Sequence, residues 1–353
     1  MRKALLYLVG YNLLIISVAI TRAFTLVYTL ALLTLLTRIQ LNLLGRRSYL
    51  SSVVSLATGA MNDSTISLEN NDDDNPDQAY GNDFETNRRY LTFSWWLLHR
   101  GWRQVMQKVQ EAVKEVFGPL SPRDDITMEK FSELTLEVRK KVEGATEEDR
   151  QAARWLQYLL PPRDQEGFVL RESGMISEPA PPMSPNSSAS TPLRRLLDET
   201  SDLIDSPPFT HVLTLLLDSG FSMLVDQKIS QQSFKMPPTS DVTDLHAPRV
   251  QEVLDVKPVK LPIVLATLTR QAHKIGNGVP NEYLQAMEQV RDLEAFAAVV
   301  YSSNWENEIA PMKDETNIKH KAVAGEESII DLGSASTFES AWGKATEASP
   351  RGT

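Results

Sequence analysis

RAFTLVYTLALLTLLTRIQLNLLGRR, residues 22–47, is the stretch from which the rest of this 353-residue chain has to be understood. Residues 23–37 carry no charge, and Leu, Val, Ala and Thr fill nearly every position. A helix that is apolar on all sides has to be hidden, either in lipid or in the middle of a helical bundle. Fifteen charge-free residues make a helix roughly 22 Å long, whereas a membrane span wants about 20 predominantly apolar residues. Past Thr37 the apolar pattern runs on through a charge, with Arg38, Ile39, Leu41, Leu43 and Leu44 interleaved with Gln40 and Asn42. That is a helix leaving a fully buried zone and becoming two-faced. Gly45 is the expected C-cap, with Arg46 and Arg47 beside the carbonyl end of the helix dipole.

The segment ahead of it, MRKALLYLVGYNLLIISVAI, has the basic start and apolar run of a signal peptide or signal anchor. No small-x-small cleavage pattern followed by a polar start is present; the chain runs straight into the next apolar block. Two readings follow. Residues 1–47 form one very long buried helix, or a membrane anchor precedes a core helix. The alternative architecture is an unrelated integral membrane protein that uses residues 4–20 and 23–37 as a helical hairpin.

Composition narrows the function classes. An apolar fraction of 42% supports a sizeable core and 23% charged residues fit a soluble surface. The chain contains no cysteine, which excludes disulfides and thiolate zinc sites. Net charge is −10, yet no acid precedes Asp63 while six Lys and Arg do, so the chain beyond carries about −16. Such an acidic body argues against nucleic acid as a partner, because phosphate binding needs a basic face.

The remainder reads as helices separated by polar inserts. Residues 87–117 carry Leu98, Trp102, Val105, Val109, Ala112 and Val116 at spacings of three and four, one apolar face closed by Gly118 and Pro119. Tyr90, Phe93, Trp95 and Trp96 form an aromatic cluster at its start, read as core. A second amphipathic helix follows Asp125, burying Phe131, Leu134, Val138 and Val142. Thr146 caps a short helix that runs to about Leu159. Thr191-Pro192 and Ser206-Pro207 are each a cap followed by a proline in the first turn. The second opens a helix whose Gly220 marks a close crossing. Lys260-Leu261-Pro262 opens another helix, and Pro280 opens the last, with Leu284, Met287, Val290, Leu293, Ala297 and Val300 buried. Loops are expected near 60–86, 172–191 and 227–256. These expected inserts, rich in Asn, Asp, Ser or Pro, and a tail over 303–353 read as disordered. Asp72, Asp73 and Asp74 read as a solvated acidic loop, and the sequons at Asn62 and Asn186 as chance matches in loops. No alternating run of useful length predicts a strand. The expectation is therefore an all-α fold, a single large helical bundle around a long, centrally buried N-terminal helix.

No catalytic constellation appears. His99, His211, His246, His273 and His320 are isolated, with no metal-binding pair. Gly276-Asn277-Gly278 lacks the strand and third glycine of a dinucleotide fold and reads as a turn between helices. The expected catalytic and metal residues, cofactors and small-molecule substrates are none.

Four pieces in order carry a resemblance: TRAFTLVYTLALLTLLTRIQLNLLG, YLTFSWWLLHRGWRQVMQKVQEAVKEVFG, LLDETSDLIDSPPFTHVLTLLLDSGFSMLVD and MEQVRDLEAFAAVVY. Arg38, Gln40, Leu41, Asn42 and Gly45, with the SPPF and GFS elements, are its most specific positions. Over residues 21–302 the chain resembles the peroxin-3 family of peroxisomal biogenesis factors, in a filamentous-fungal form. The resemblance implies a non-enzymatic helical domain on the peroxisomal membrane, facing the cytosol, with residues 22–45 inside the core. It also implies docking of peroxin-19, the carrier of newly made peroxisomal membrane proteins, by insertion of an amphipathic helix into an apolar groove. The family's groove tryptophan falls at Asn12 and is not matched. A groove leucine falls at Ile15 and a groove lysine at Lys260, so these two are the partner-binding residues carried over. Residues 1–20 depart from the family pattern and read as an atypical or truncated start.

Overall fold

A computed structural model describes residues 2–62, 81–175, 191–236 and 257–303, with backbone alone for 2–15, 51, 54–62, 81–83 and 191. The expected insert with Asp72, Asp73 and Asp74, the sequon at Asn186, residues 237–256 and the tail from 304 lie outside the described residues.

Helix α1 runs unbroken over Arg2–Asn62. A hairpin would need a turn between residues 20 and 23, and there is none. Ile20, Ala23, Phe24, Val27, Tyr28, Ala31, Leu32, Leu35 and Leu36 are buried almost completely. Thr21, Thr25 and Thr34 are buried with them, while Leu26, Leu30 and Leu33 on the remaining face are half-buried. The apolar stretch is thus a core helix, surrounded chiefly by α4, α10, α12 and α14. Gly45 does not end it. Its missing side chain admits the Tyr301 ring, 3.4 Å from where a Cβ would stand, and the helix continues for 17 more residues.

The other elements follow in order. Helix α2 (Gly81–Thr92) leads through Phe93 into α3 (Ser94–Trp96), a π-helical turn (Leu97–Gly101) and α4 (Trp102–Phe117). Strand β1 (Asp125–Ile126) precedes α5 (Met128–Glu143), α6 (Glu147–Ala152), α7 (Leu156–Leu159) and α8 (Glu166–Glu172). Next come α9 (Thr191–Ile204), α10 (Pro207–Ser222), a second π-helical turn (Met223–Ile229) and α11 (Ser230–Ser233). Strand β2 (Val259–Lys260), α12 (Leu261–Asn277), α13 (Glu282–Glu288) and α14 (Arg291–Ser302) complete the described chain.

Local signals place many of these boundaries. The Thr146 hydroxyl and the Asp149 carboxylate form a reciprocal capping box at α6. Ser206 accepts from Phe209 N ahead of the two prolines of α10, and Pro262 occupies the first turn of α12. Gly220 is a close crossing: a Cβ there would stand 2.6 Å from Met287 Cε and 2.9 Å from Val27 Cγ1. Gly278 caps α12 before a turn, as the Gly-Asn-Gly reading requires.

Besides Gly45, further expectations need correction, and the helix capped by Thr146 ends at Ala152, with Leu156–Leu159 a separate turn. The helix over 87–117 is three pieces, because Phe93 tightens the chain and the π-helical turn then adds a residue to one turn. That extra residue rotates the faces, so Leu97 and Gly101 point inward while Leu98 is 46% exposed. The expected loop from 227 begins as helix through Ser233. Its polar residues are satisfied across the interface with α12, Ser233 Oγ donating to Thr267 Oγ1 (2.9 Å) and Gln271 Nε2 to Gln232 Oε1 (3.1 Å). The last predicted helix divides into α13 and α14, with Val290 capping the second. Finally, β1 and β2 form a two-residue antiparallel ladder, Asp125 opposite Lys260 and Ile126 opposite Val259, too short to show as an alternating pattern.

Several polar groups inside the bundle are paired across elements. Arg46 of α1 is completely buried and donates to Ser303 O (2.6 Å), Val300 O (3.3 Å) and Glu199 Oε2 (2.6 Å). The Tyr28 hydroxyl donates to Glu143 Oε1 (2.8 Å), whose carboxylate also takes both arms of Arg139 (2.7 and 2.9 Å). Burial raises the phenol pKa of Tyr28, Tyr90 and Tyr283 above the ordinary value near 10, and the neighbouring carboxylate adds to this at Tyr28. The folded state therefore holds these protons more tightly than the unfolded chain, so their contribution is present below about pH 10 and is lost as pH rises further. Phenolate absorbance at 295 nm should show these tyrosines ionising only together with loss of helical circular dichroism. Full ionisation with helicity intact would contradict their burial.

Candidate functional site

The direction of each helix along α1 identifies what lies at its N-terminal end. Tyr90 O accepts from Gln40 Nε2 at 3.0 Å, near the start of the α2–α4 run. Further along, Lys108 Nζ lies 5.4 Å over the Trp155 ring, which stacks on Tyr28 with centroids 6.3 Å apart. Helix α4 thus descends antiparallel to α1, and its last turn, β1 and the start of α5 lie beyond Tyr28 toward residue 2. Phe117 packs on Phe131 there, 6.0 Å between centroids, and α5 returns so that Glu143 meets Tyr28.

The C-terminal helices converge on the same end. Helix α10 descends until Phe221 meets Phe24 and Tyr28 edge-on, at 5.1 and 5.4 Å. The second π-helical turn and α11 continue past this level and bind α12 through Ser233 and Thr267. The C-terminal end of α12 is joined to the start of α13 where Asn281 Nδ2 donates to Ile275 O at 2.9 Å, and Met287 of α13 reaches the level of Val27. The start of α12 is therefore toward the N-terminal end of α1, next to β1 and the first turn of α5.

This end has an apolar floor and a charged lip. Leu261, Ile126 and Met128 are buried, while Val18 on α1 and Ile263 on α12 each expose about half of their surface. Lys260 is exposed and donates to Asp125 Oδ2 (2.9 Å) and to Arg123 O (3.3 Å), held by the β1–β2 ladder. Pro262 lacks an amide hydrogen, which suits the first turn of α12, and Leu261 N donates to Asp124 O (3.1 Å). Ile15 lies in α1 three residues before Val18, and its side chain is outside the described residues. Ile15 thus stands in the N-terminal part of α1 and Lys260 at the junction of β2 and α12. The residues that hold Lys260, Asp125 and the Arg123 carbonyl, were missed by sequence reading; a contact 135 residues apart leaves no local signal.

A separate cleft of about 810 Å³ opens on the flank, lined by Trp96, Gln104, Gln157, Leu160, Ile204 and Asp205 among others. Its walls combine amide and apolar groups with Arg154, Asp205 and Thr210. Among the described residues no group of three or more His, Asp or Glu is arranged to hold a metal ion.

Comparison with known proteins gives a consistent result. The sequence model of the family described as Peroxin-3 matches residues 12–303. Peroxisomal biogenesis factor 3 of Yarrowia lipolytica is 38% identical over 303 residues, covering 80% of this chain and 66% of that protein. Peroxisomal membrane protein PEX3 of Komagataella pastoris is 28% identical over 310 residues, covering 81% and 66%. The mouse peroxisomal biogenesis factor 3 is 25% identical over 293 residues, covering 81% and 68%. The chain thus spans about two thirds of the length of the curated relatives it matches.

Proposed function

The chain belongs to the peroxin-3 family, and from that premise we propose that it is a docking receptor for the carrier peroxin-19 at the peroxisomal membrane. Its role is in peroxisome biogenesis, its main body faces the cytosol, and it performs no chemistry of its own. Family membership over residues 12–303 is the observation that carries this reading. The geometry supports it. The N-terminal end of α1 offers an apolar floor between the α4–α5 turn and the start of α12, which suits an amphipathic helix laid into a groove. Ile15 is assigned to the floor. Lys260 is assigned to the lip, where its ammonium attracts an acid on the incoming helix.

Recombinant full chain titrated with peroxin-19 tests the proposal directly, and a parent chain that fails to bind overturns it. Lys260→Glu should weaken binding about tenfold, by reversing a lip charge that contributes on the order of 1.4 kcal/mol. Because the Lys260–Asp125 pair is exposed, the thermal midpoint should stay within about 2 °C of the parent. Asp125→Ala, which releases Lys260 from its partner, should leave binding intact or tighten it. Equal affinity for the parent and Lys260→Glu would remove Lys260 from the site while leaving the docking function standing.

A further inference from the structure

Large apolar groups stand at or near the surface along the α2–α4 run, Leu98 of the π-helical turn among them. Phe84 is 69% exposed, Leu91 39% and Leu98 46%, and half-buried Trp95 and Trp102 complete the series. Phe84 and Leu91 share a face of α2, seven residues apart, and Trp95, Leu98 and Trp102 follow across Phe93 and the π-helical turn. Periodicity alone assigns Leu98 and Trp102 to the core. The structure gives that place to Leu97 and Gly101, leaving Leu98 in solvent with Phe84 and Leu91, while Trp95 keeps one side against the core.

The seam is also built and charged. Trp95 stacks on His99 with centroids 4.2 Å apart at 9°, and meets Phe168 of α8 edge-on at 6.1 Å. The Arg100 guanidinium sits 5.2 Å over the Phe168 ring and that of Arg103 lies 5.7 Å from the Trp102 ring. Arg88, Arg100 and Arg103 are exposed, and Arg89 pairs with Glu85 at 2.9 Å. Between residues 84 and 103 there are four arginines and one acid, in a chain whose net charge is −10.

We propose that this stripe is a second docking seam, which receives one amphipathic helix with acidic flanks from another protein. A single line of apolar groups bordered by arginines matches one helix with an apolar edge and carboxylates beside it, with electrostatics selecting the sign of the partner. A second copy of the chain, related by a twofold axis, would set arginines against arginines. The seam flanks α1 near Gln40, whereas Lys260 stands at the N-terminal end. It does not rest on the peroxin-19 reading.

The test uses the full chain and a fluorescent three-heptad helix with leucine at a and d and glutamate at e and g, beside a twin carrying lysine at e and g. The glutamate helix should bind saturably and the lysine helix should not. Leu98→Asp should weaken binding at least about tenfold, and Arg100→Glu with Arg103→Glu should do the same while admitting the lysine helix. Both variants alter surface groups, and unchanged circular-dichroism melting confirms that they fold. Indistinguishable binding of the two helices overturns the proposal. So does Leu98-dependent uptake onto phosphatidylserine vesicles without peptide binding, which makes the stripe a membrane contact. A Leu98→Asp chain that turns from dimer to monomer in sedimentation gives the seam to a second copy and overturns it as well. Binding that emerges only after removal of residues 304–353 gives the seam to the chain's own tail, and the proposal falls in that case too.

Discussion

Arg46→Met should destabilise the protein by about 4 kcal/mol, in the range found when one partner of a buried ion pair is removed. Methionine fills much of the same volume, so the loss is mainly polar. The arginine fork closes the C-terminal end of α14 by donating to Val300 O and Ser303 O, and its other nitrogen meets the Glu199 carboxylate of α9. Without it, carbonyls at a helix end lose their donors and a carboxylate loses its cation, both at a largely buried site. Urea unfolding should show the change as a lower midpoint at unchanged slope, and the thermal midpoint should fall by about 10 °C. Amide exchange should quicken first in the last turn of α14. Arg46→Lys keeps the charge but has no planar fork to span three acceptors, and it should fall between the two. A methionine variant within about 1 kcal/mol of the parent would show that the triple contact is not what ties α1, α9 and α14 together.

Gly101→Ala is the second large effect, and there two physical terms oppose each other. Gly101 has ordinary helical angles, φ −59 and ψ −43, so alanine should favour the helix by up to about 1 kcal/mol. Space decides otherwise. The new methyl would stand inside contact distance of the Tyr158 carbonyl oxygen and 2.9 Å from its carbonyl carbon. Those atoms are backbone, and Trp96 Nε1 binds the adjacent Gln157 O at 3.1 Å, so α7 has no simple retreat. A net destabilisation of about 3 kcal/mol is expected, at the upper end for overpacking. Gly220→Ala is the comparison. Its nearest atom is the terminal methyl of Met287, which can rotate away. Val27 Cγ1 at 2.9 Å is a stiff β-branched group, however, so the cost should be about 2 kcal/mol, still below that at Gly101. If Gly101→Ala proves as stable as the parent by urea unfolding, the close approach of α7 to the π-helical turn is wrong.

The particular residues show how far sequence reading reaches. Thr146, Ser206 and Pro262 act within one turn of their own helix, and each stands where its local chemistry predicts. Gly220 is legible as a crossing because a glycine inside a strong apolar stripe has few other uses. Gly45 misleads for the converse reason. Glycine followed by two arginines looks like a helix end, yet Tyr301 fills the space above it and α1 runs on. Leu98 carries the right period and faces solvent, because the π-helical turn changes the phase of the face without changing its composition. At the candidate site, Lys260 is legible through resemblance alone, and its partner Asp125 only through the β1–β2 ladder.

Chemistry written along the chain was enough to determine that this protein is helical, that residues 23–37 must be hidden, and where many of the later helices begin. Periodicity, caps and prolines work over three or four residues, and those are distances a sequence displays. Only the tertiary structure decided that the apolar helix is hidden by its own neighbours, that Arg46 closes a helix more than 250 residues away, and which flank of the α2–α4 run is left outside. Burial and pairing depend on which distant segments share a volume, and that is a property of the packed bundle as a whole.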